Sequence, residues 1–138
     1  MIRRLFRQIN KNESGVSLIE FALVLPILLL ILLGIIQFGF IFNGQITLTS
    51  SAREGARLAV VGADDNDVKD RVEDTAIALL LNVDRNDIDI NREVGGDDGT
   101  LSVTVPGSVD IIVPILDLIV GNSMSLSAES VMRVELKP

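Results

Sequence analysis

The sequence predicts an α+β fold: a long N-terminal transmembrane helix continues onto a small antiparallel three-stranded sheet, with a second, amphipathic helix beside it. Three patterns lead to this fold. Residues 21–52 contain no charged side chain, residues 68–80 carry apolar residues at helical spacing, and residues 88–105 and 124–134 largely alternate apolar and polar residues. The first pattern predicts a membrane span, and the other two predict one small folded domain.

The uncharged run is long enough to cross a bilayer. At 1.5 Å per residue, its first twenty residues cover about 30 Å, which is the thickness of the hydrocarbon core. A single carboxylate, Glu20, stands at the front edge of the run, directly before Phe21. Because an ionisable residue at that depth is costly, Glu20 is a candidate functional residue.

Charge predicts the orientation of the span. Four basic residues precede it: Arg3, Arg4, Arg7 and Lys11. The far flank offers only Arg53 and Arg57 after a long uncharged interval, so we expect the N-terminus inside and the domain outside the cytoplasmic membrane. A secretory signal would have a shorter apolar core and a small-x-small cleavage site, which residues 43–45 do not supply.

Composition excludes several function classes. The 138 residues include no Cys and no His, which excludes disulfides, thiolate or imidazole metal sites, and catalysis by Ser-His-Asp or Cys-His groups. Residues 63–138 hold sixteen Asp and Glu against six Lys and Arg, which argues against a nucleic-acid partner. We therefore expect neither an enzyme nor a cofactor or metal site.

The start of the chain carries a resemblance to a known family. A basic leader ends at Gly15, Val16 follows, and Glu20 and Phe21 open the apolar run. This arrangement resembles the prepilin signal of type IV pilins, in which cleavage follows the Gly and the Glu becomes the fifth mature residue. The first sixty residues further resemble the TadE-like minor pilins, or pseudopilins, of tight-adherence (Tad) pili. The last dozen residues resemble that family moderately, and the middle of the chain hardly does.

The resemblance implies a pilin-like fold with three parts: a prepilin leader over 1–15, a transmembrane helix over 16–43 and an extracytoplasmic domain over 44–138. It implies that a prepilin peptidase cleaves between Gly15 and Val16 at the inner membrane. The mature chain would then join a Tad pilus and reach the cell surface. Its implied partners are major and other minor pilins, inner-membrane platform proteins, an assembly ATPase complex and membrane lipid, without a cofactor.

Glu20 has two interpretations. After cleavage, the new α-amine of Val16 would lie about one helical turn from Glu20 in the same chain. The same amine of a neighbouring subunit could pair with Glu20 across the filament and set the axial register, which is the role that the resemblance implies. Alternatively, Glu20 extends to the headgroups and only anchors the helix end.

The outer part of the helix carries a face of small side chains. Ala52, Gly55, Ala56 and Ala59 recur at intervals of three and four residues, so a sheet can lie close to them. Gly62 is expected to end the helix. Beside this face, Arg53 and Arg57 stand one turn apart. They form either a charge pair with Glu54 that is solvated or faces their own domain, or a contact with the next subunit.

An acidic turn is expected to start the second helix. Asp or Asn residues in 64–67 can cap its free backbone donors, and an apolar stripe extends the helix to about Leu81. A calcium loop is the alternative interpretation, but Lys69 would occupy the third ligand position and no Gly follows.

Strand patterns follow. A hairpin is predicted around the turn at residues 95–99, and Pro106 with Gly107 is expected to interrupt its second strand. Residues 109–120 are expected to include a short helix that covers the sheet or lies at the membrane surface. A last long strand is expected to follow, with an irregularity near Ser130 that indicates a bulge.

Two functions of other classes compete with a pilus subunit. One is an uncleaved, signal-anchored extracytoplasmic binding module, which would have the same span and domain. The other is a membrane-bound hydrolase, which would need a carboxylate pair such as Asp97 and Asp98. These two residues have the character of turn residues instead.

Overall fold

The computed structural model describes residues 13–93, 98–113 and 121–135. The chain divides into two compact units between Ile36 and Gln37. The predicted leader up to residue 12, the centre of the predicted hairpin turn and most of the predicted short helix over 109–120 lie outside the described residues.

A single long helix, α1, runs from Glu13 to Val60 and continues through Pro26. It ends where Gly62 adopts a positive φ of 91°, a conformation that glycine adopts without steric cost. The amide of Gly62 donates to the carbonyl of Ala59 at 3.1 Å. The predicted end of the helix at Gly62 is therefore confirmed.

The second helix, α2, covers Asp65–Thr75 and buries Val68 and Val72. The prediction that it reaches Leu81 was wrong. Ala76 closes the helix, and Leu80 has a φ of 63°, a left-handed conformation that interrupts a right-handed helix. The apolar stripe indicated a helix that is too long, because only its first part faces the core and Leu79 is 64% exposed.

The sheet is antiparallel and contains four strands: β1 (Leu81–Asn82), β2 (Asp89–Glu93), β3 (Asp98–Asp110) and β4 (Ser123–Glu135). β4 pairs with one edge of β3 over its whole length, and β2 and β1 pair with successive parts of the other edge. The α+β class with a long helix, a second helix and a small antiparallel sheet is confirmed. The number of strands was underestimated, because the two-residue β1 is too short to show an alternating pattern.

Two predictions about the strands were wrong. β3 runs through Pro106 and Gly107 without a break, and its register against β4 is continuous past Ser130, so these strands contain no bulge. Proline is tolerated because it lies between Thr104 and Ser108, where one edge of β3 has neither β2 nor β1 as a partner.

The core lies between α1, α2 and one face of the sheet. The predicted face of small residues on α1 is confirmed, since Ala52, Ala56 and Ala59 are at most 2% exposed. Close approach requires glycine at two further positions. A Cβ on Gly55 would stand 2.5 Å from Cγ2 of Val72, and a Cβ on Gly44 would stand 2.7 Å from Cγ2 of Val109. The other core side chains come from all layers: Leu48, Val68, Ile88, Leu101, Val103, Val105 and Ala128.

Candidate functional site

The four residues of the predicted processing and assembly site lie together near the start of α1. Gly15 is half-buried, and Val16, Glu20 and Phe21 are exposed. Five residues of helix separate Gly15 from Glu20, a rise of about 7.5 Å. The helix therefore holds the Glu20 carboxylate close to the predicted cleavage position, at the edge of a wholly apolar surface.

That surface continues over the predicted span, where the large apolar side chains are exposed rather than packed in a core. Val24, Leu28 and Ile35 are 55–65% exposed. The most apolar stretch of α1 has a mean hydropathy of 2.9 and is long enough to cross a membrane. A helix that is apolar all round needs an apolar environment, and a bilayer supplies it.

Gln37 interrupts this pattern, and its role was not predicted from the sequence. Its side chain is buried, with 2% exposed. Its Nε2 donates to the carbonyl of Asp110 at 3.0 Å, and its Oε1 accepts from the amide of Ile112 at 2.8 Å. The amide thus fixes the end of β3 to α1. The available signal was that Gln37 is the sole polar side chain in residues 21–42.

The two arginines of the predicted pair lie in different environments. Arg57 donates to Glu54, with Nη2 of Arg57 at 2.9 Å from Oε1, whereas Arg53 is exposed on the same helix. Arg71 of α2 donates to the same Oε1 atom at 2.9 Å. Glu54 lies eleven residues beyond the predicted span, and hydrogen bonds from Arg57 and then Arg71 lower its pKa to about 2. Glu54 therefore links the two helices as a carboxylate, and Arg57 already has a partner within the domain.

Arg92 of β2 forms hydrogen bonds at the C-terminal end of α1, a role that the sequence did not indicate. Its guanidinium donates to the carbonyls of Ala59 and Ala63 at 3.3 and 2.9 Å. The carbonyl of Ala59 also accepts from the amide of Gly62, and Ala63 lies just beyond the helix, so Arg92 adds bonds that hold the chain where it leaves α1. Arg92 also pairs with Asp65 at 2.7 Å.

The acidic turn before α2 differs in detail from its predicted role. Asp64 occupies the N-cap position but makes no side-chain capping bond, and Asp65 and Asp67 lie in the first turn. Their charges favour the helix dipole. The carboxylate of Asp65 is engaged by Arg92. Among the described residues there is no group of three or more Asp and Glu side chains placed to hold a metal ion.

An open cleft of about 630 Å³ lies where β1 and β2 separate along β3. Its walls include Glu73, Asp84, Arg85, Asp87 and Ser108. Asp84 accepts from the amide of Asn86 and Arg85 donates to Asp70, so these groups have structural partners. Of the carboxylate pair considered for a hydrolase, Asp97 lies outside the described residues and Asp98 begins β3.

Comparison with known proteins identifies the first part of the chain. Residues 15–57 match the model of the TadE-like protein family. No curated protein and no solved structure matches the chain. The resemblance expected from the sequence is therefore confirmed over the segment that holds the predicted span, Arg53 and Arg57. This TadE-like segment associates the protein with the Tad pilus.

Proposed function

We propose that this protein is a minor pilin, or pseudopilin, that takes part in the assembly of a Tad-type pilus after cleavage by a prepilin peptidase. The observation that carries the proposal is the TadE-like match over residues 15–57, which coincides with an exposed apolar helix. The role is structural, in association with other pilins, platform proteins and an assembly ATPase. The N-terminus faces the cytoplasm and the acidic domain lies outside.

Cleavage between Gly15 and Val16 is the first test. The intact mass of the protein recovered from membranes is compared with and without an active prepilin peptidase, and the enzyme is expected to remove residues 1–15. Gly15→Leu should block this change, whereas Gly34→Leu should not, because Gly34 has open space around its Cα. An unchanged full-length mass with active peptidase would favour the uncleaved, signal-anchored binding module.

Glu20 carries the proposed assembly contact. An ionised acid at the centre of a span costs about 2.5–3.5 kcal/mol on insertion scales, and less near an interface. The α-amine of Val16 that cleavage creates offers a cation close to this depth, and the amine of a neighbouring subunit would pair with Glu20 and set the axial register.

Glu20→Ala separates assembly from anchoring. The variant is expected to insert and to be cleaved normally, while its co-purification with other pilins falls. Glu13→Ala is the matched control, because cleavage removes that carboxylate before assembly. Normal co-purification of Glu20→Ala would leave Glu20 with the anchoring role alone.

Arg53 and Arg57 are proposed as further contacts with the next subunit. Arg53 is exposed, and the Arg57 side chain remains 73% exposed although it is paired with Glu54. Both guanidiniums can therefore reach an acidic neighbour. Cross-linking yield between subunits should fall more for Arg53→Ala than for Arg57→Ala, since Arg57 also has a partner in its own domain. Equal yields in wild type and both variants would remove this contact from the proposal.

A further inference from the structure

The last strand, β4, has one edge that no strand of the described residues occupies. β4 pairs with β3 along all of its thirteen residues, and β1 and β2 pair with the opposite edge of β3. An open strand edge presents a row of backbone donors and acceptors that another strand can use. We refer to this row on β4 as the free edge. The proposed assembly contacts do not use it.

Two hydrogen bonds at the end of β3 show which residues of β4 face the free edge. The amide of Ile111 donates to the carbonyl of Asn122 on the β4 side, and the amide of Asp110 donates to the carbonyl of Leu80 on the β1 side. Backbone groups of successive residues point to opposite sides of a strand. In this register, even-numbered residues of β4 bond to β3, so the odd-numbered residues direct their amides and carbonyls to the free edge.

Only part of the free edge has a partner within the described part of the chain. Nε2 of Gln45 donates to the carbonyl of Ser127 at 3.0 Å, as the direction of an odd-numbered residue requires. Beyond Ser127, the residues Glu129 and Val131 direct two amides and two carbonyls away from β3. The described residues make no hydrogen bond to these four groups. They are therefore available to an added strand.

β4 lacks the features that usually block an exposed edge. It is thirteen residues long and contains no proline, and its register against β3 is continuous, so neither short length nor a bulge prevents pairing. Its charges do not repel every strand, because the exposed Glu129 and Arg133 have opposite signs. The edge is therefore open to a strand whose charges run in the matching order.

The outward side chains of β4 specify that order. Glu129, Val131 and Arg133 alternate along the face turned away from the core, and Val131 is 62% exposed. Opposite charges and apolar pairs stabilise an antiparallel sheet when they lie directly across from each other. The matching antiparallel strand therefore carries, from its N-terminus, an acidic, an apolar and a basic residue at alternate positions.

β4 itself has this order, so a second copy would match it about a two-fold axis at Val131. Such an axis is perpendicular to the sheet and reverses every direction within it. It would reverse residues 44–59 of α1, which pack on the sheet. Open filaments are built by head-to-tail contacts that keep all subunits in one direction. Two copies in the proposed pilus therefore cannot pair in this way.

We propose that the free edge of β4 binds an extended segment of a different protein as an added antiparallel strand. The segment places an acidic residue opposite Arg133, an apolar residue opposite Val131 and a basic residue opposite Glu129. Backbone hydrogen bonds supply the affinity of such a contact, and alternate side chains supply its specificity. The choice of a different protein over a second copy rests on the proposed function, whereas the strand addition does not.

The test measures the binding of a fluorescent synthetic peptide with the sequence of residues 127–135, which has the matching order. Fluorescence anisotropy is recorded against the full chain in detergent micelles, with empty micelles as the blank. Val131→Pro removes the amide at the free edge and no bond to β3, so the affinity should fall about fivefold or more. Val131→Thr keeps this amide and should bind nearly as well as wild type.

Changes in the peptide leave the protein intact, so a folding defect in Val131→Pro does not decide the outcome. N-methylation at the peptide position of Val131 removes a donor that faces the edge and should weaken binding. N-methylation at the position of Ser130, which faces away, should weaken it less. A peptide with its first Glu and its Arg exchanged should bind wild type about threefold more weakly, and should bind better to the double variant Glu129→Arg, Arg133→Glu.

Two results would overturn the inference. One is the absence of peptide binding, or equal affinity for wild type and Val131→Pro and for both N-methylated peptides. The other concerns Val131→Cys, whose sulfurs a two-fold pair would bring together in a chain that has no other cysteine. Disulfide linkage more efficient than that of the exposed control Val61→Cys would assign the edge to a second copy. Cleavage after Gly15 tests the proposed function separately, so the two proposals fail independently.

Discussion

Two segments of α1 place apolar residues in opposite environments. In residues 16–36, large side chains such as Leu28 are exposed, whereas in residues 44–59 small side chains such as Ala52 are buried under the sheet. The two segments differ in composition, since residues 44–59 include Arg53, Glu54 and Arg57, whereas Glu20 is the one charged residue in 16–36. They also differ in side-chain size, because a sheet can approach a helix closely only where glycine and alanine keep the surface of the helix low. The first segment is a candidate membrane span, and the second has its partner in the same chain.

The largest expected effect comes from truncating one leucine in each segment. Leu48→Ala removes a fully buried side chain that packs against Gly107, and we expect a loss of about 2–5 kcal/mol in the free energy of unfolding. Leu28→Ala, at a 55% exposed position, should change it by less than about 0.5 kcal/mol. Urea unfolding in detergent micelles, followed by far-UV circular dichroism, measures both. Equal losses would show that the two segments do not differ in packing.

Gln37 stands at the boundary between these environments, and Gln37→Leu tests its role. The variant leaves the carbonyl of Asp110 and the amide of Ile112 without this partner, which should cost about 1–3 kcal/mol. Gln45→Leu is the matched control. Its bond to the carbonyl of Ser127 is exposed, so water can replace it and the loss should be smaller. A larger loss at Gln45 in the same unfolding measurement would contradict the buried role of Gln37.

Gly55→Ala tests the requirement for small residues. Overpacking against Val72 costs about 1–3 kcal/mol, while the change from Gly to Ala in a helix returns up to about 1 kcal/mol. We expect a net loss of about 1 kcal/mol, and no loss for Gly39→Ala, which meets no neighbouring atom within 4 Å. In a Val72→Ala background the penalty should disappear. A penalty that persists there would assign the effect to another neighbour.

The smallest expected effect is the pH dependence of the Glu54 link between α1 and α2. Because the pKa of Glu54 is lowered from 4.5 to about 2 in the folded protein, its contribution is complete above pH 4.5 and is lost as the pH falls toward 2. The unfolding midpoints of wild type and Glu54→Gln should therefore differ at pH 6 and converge as the pH falls toward 2. A difference that stayed constant between these pH values would contradict the ion-pair origin.

The long helix with its candidate membrane span, the second helix and the three longer strands were predictable from local patterns. The uncharged run over 21–52 indicates a helix by its length, and the residues over 101–105 alternate with the period of a strand, so neighbouring residues contain this information. The small-residue face on α1 was predictable for the same reason. The TadE-like resemblance likewise depends on residues that are adjacent in sequence.

The tertiary structure alone decided the partners of Gln37 and Arg92 and the end of α2. Gln37 bonds to Asp110, 73 residues away, and Arg92 to Ala59, 33 residues away. Neither pair leaves a local pattern. α2 ends early because the chain must turn at Leu80 to place β1 beside β3, a long-range pairing that overrides the local apolar spacing. Periodicity shows which residues can be buried, but the groups that bond across the fold are set by which segments meet in space.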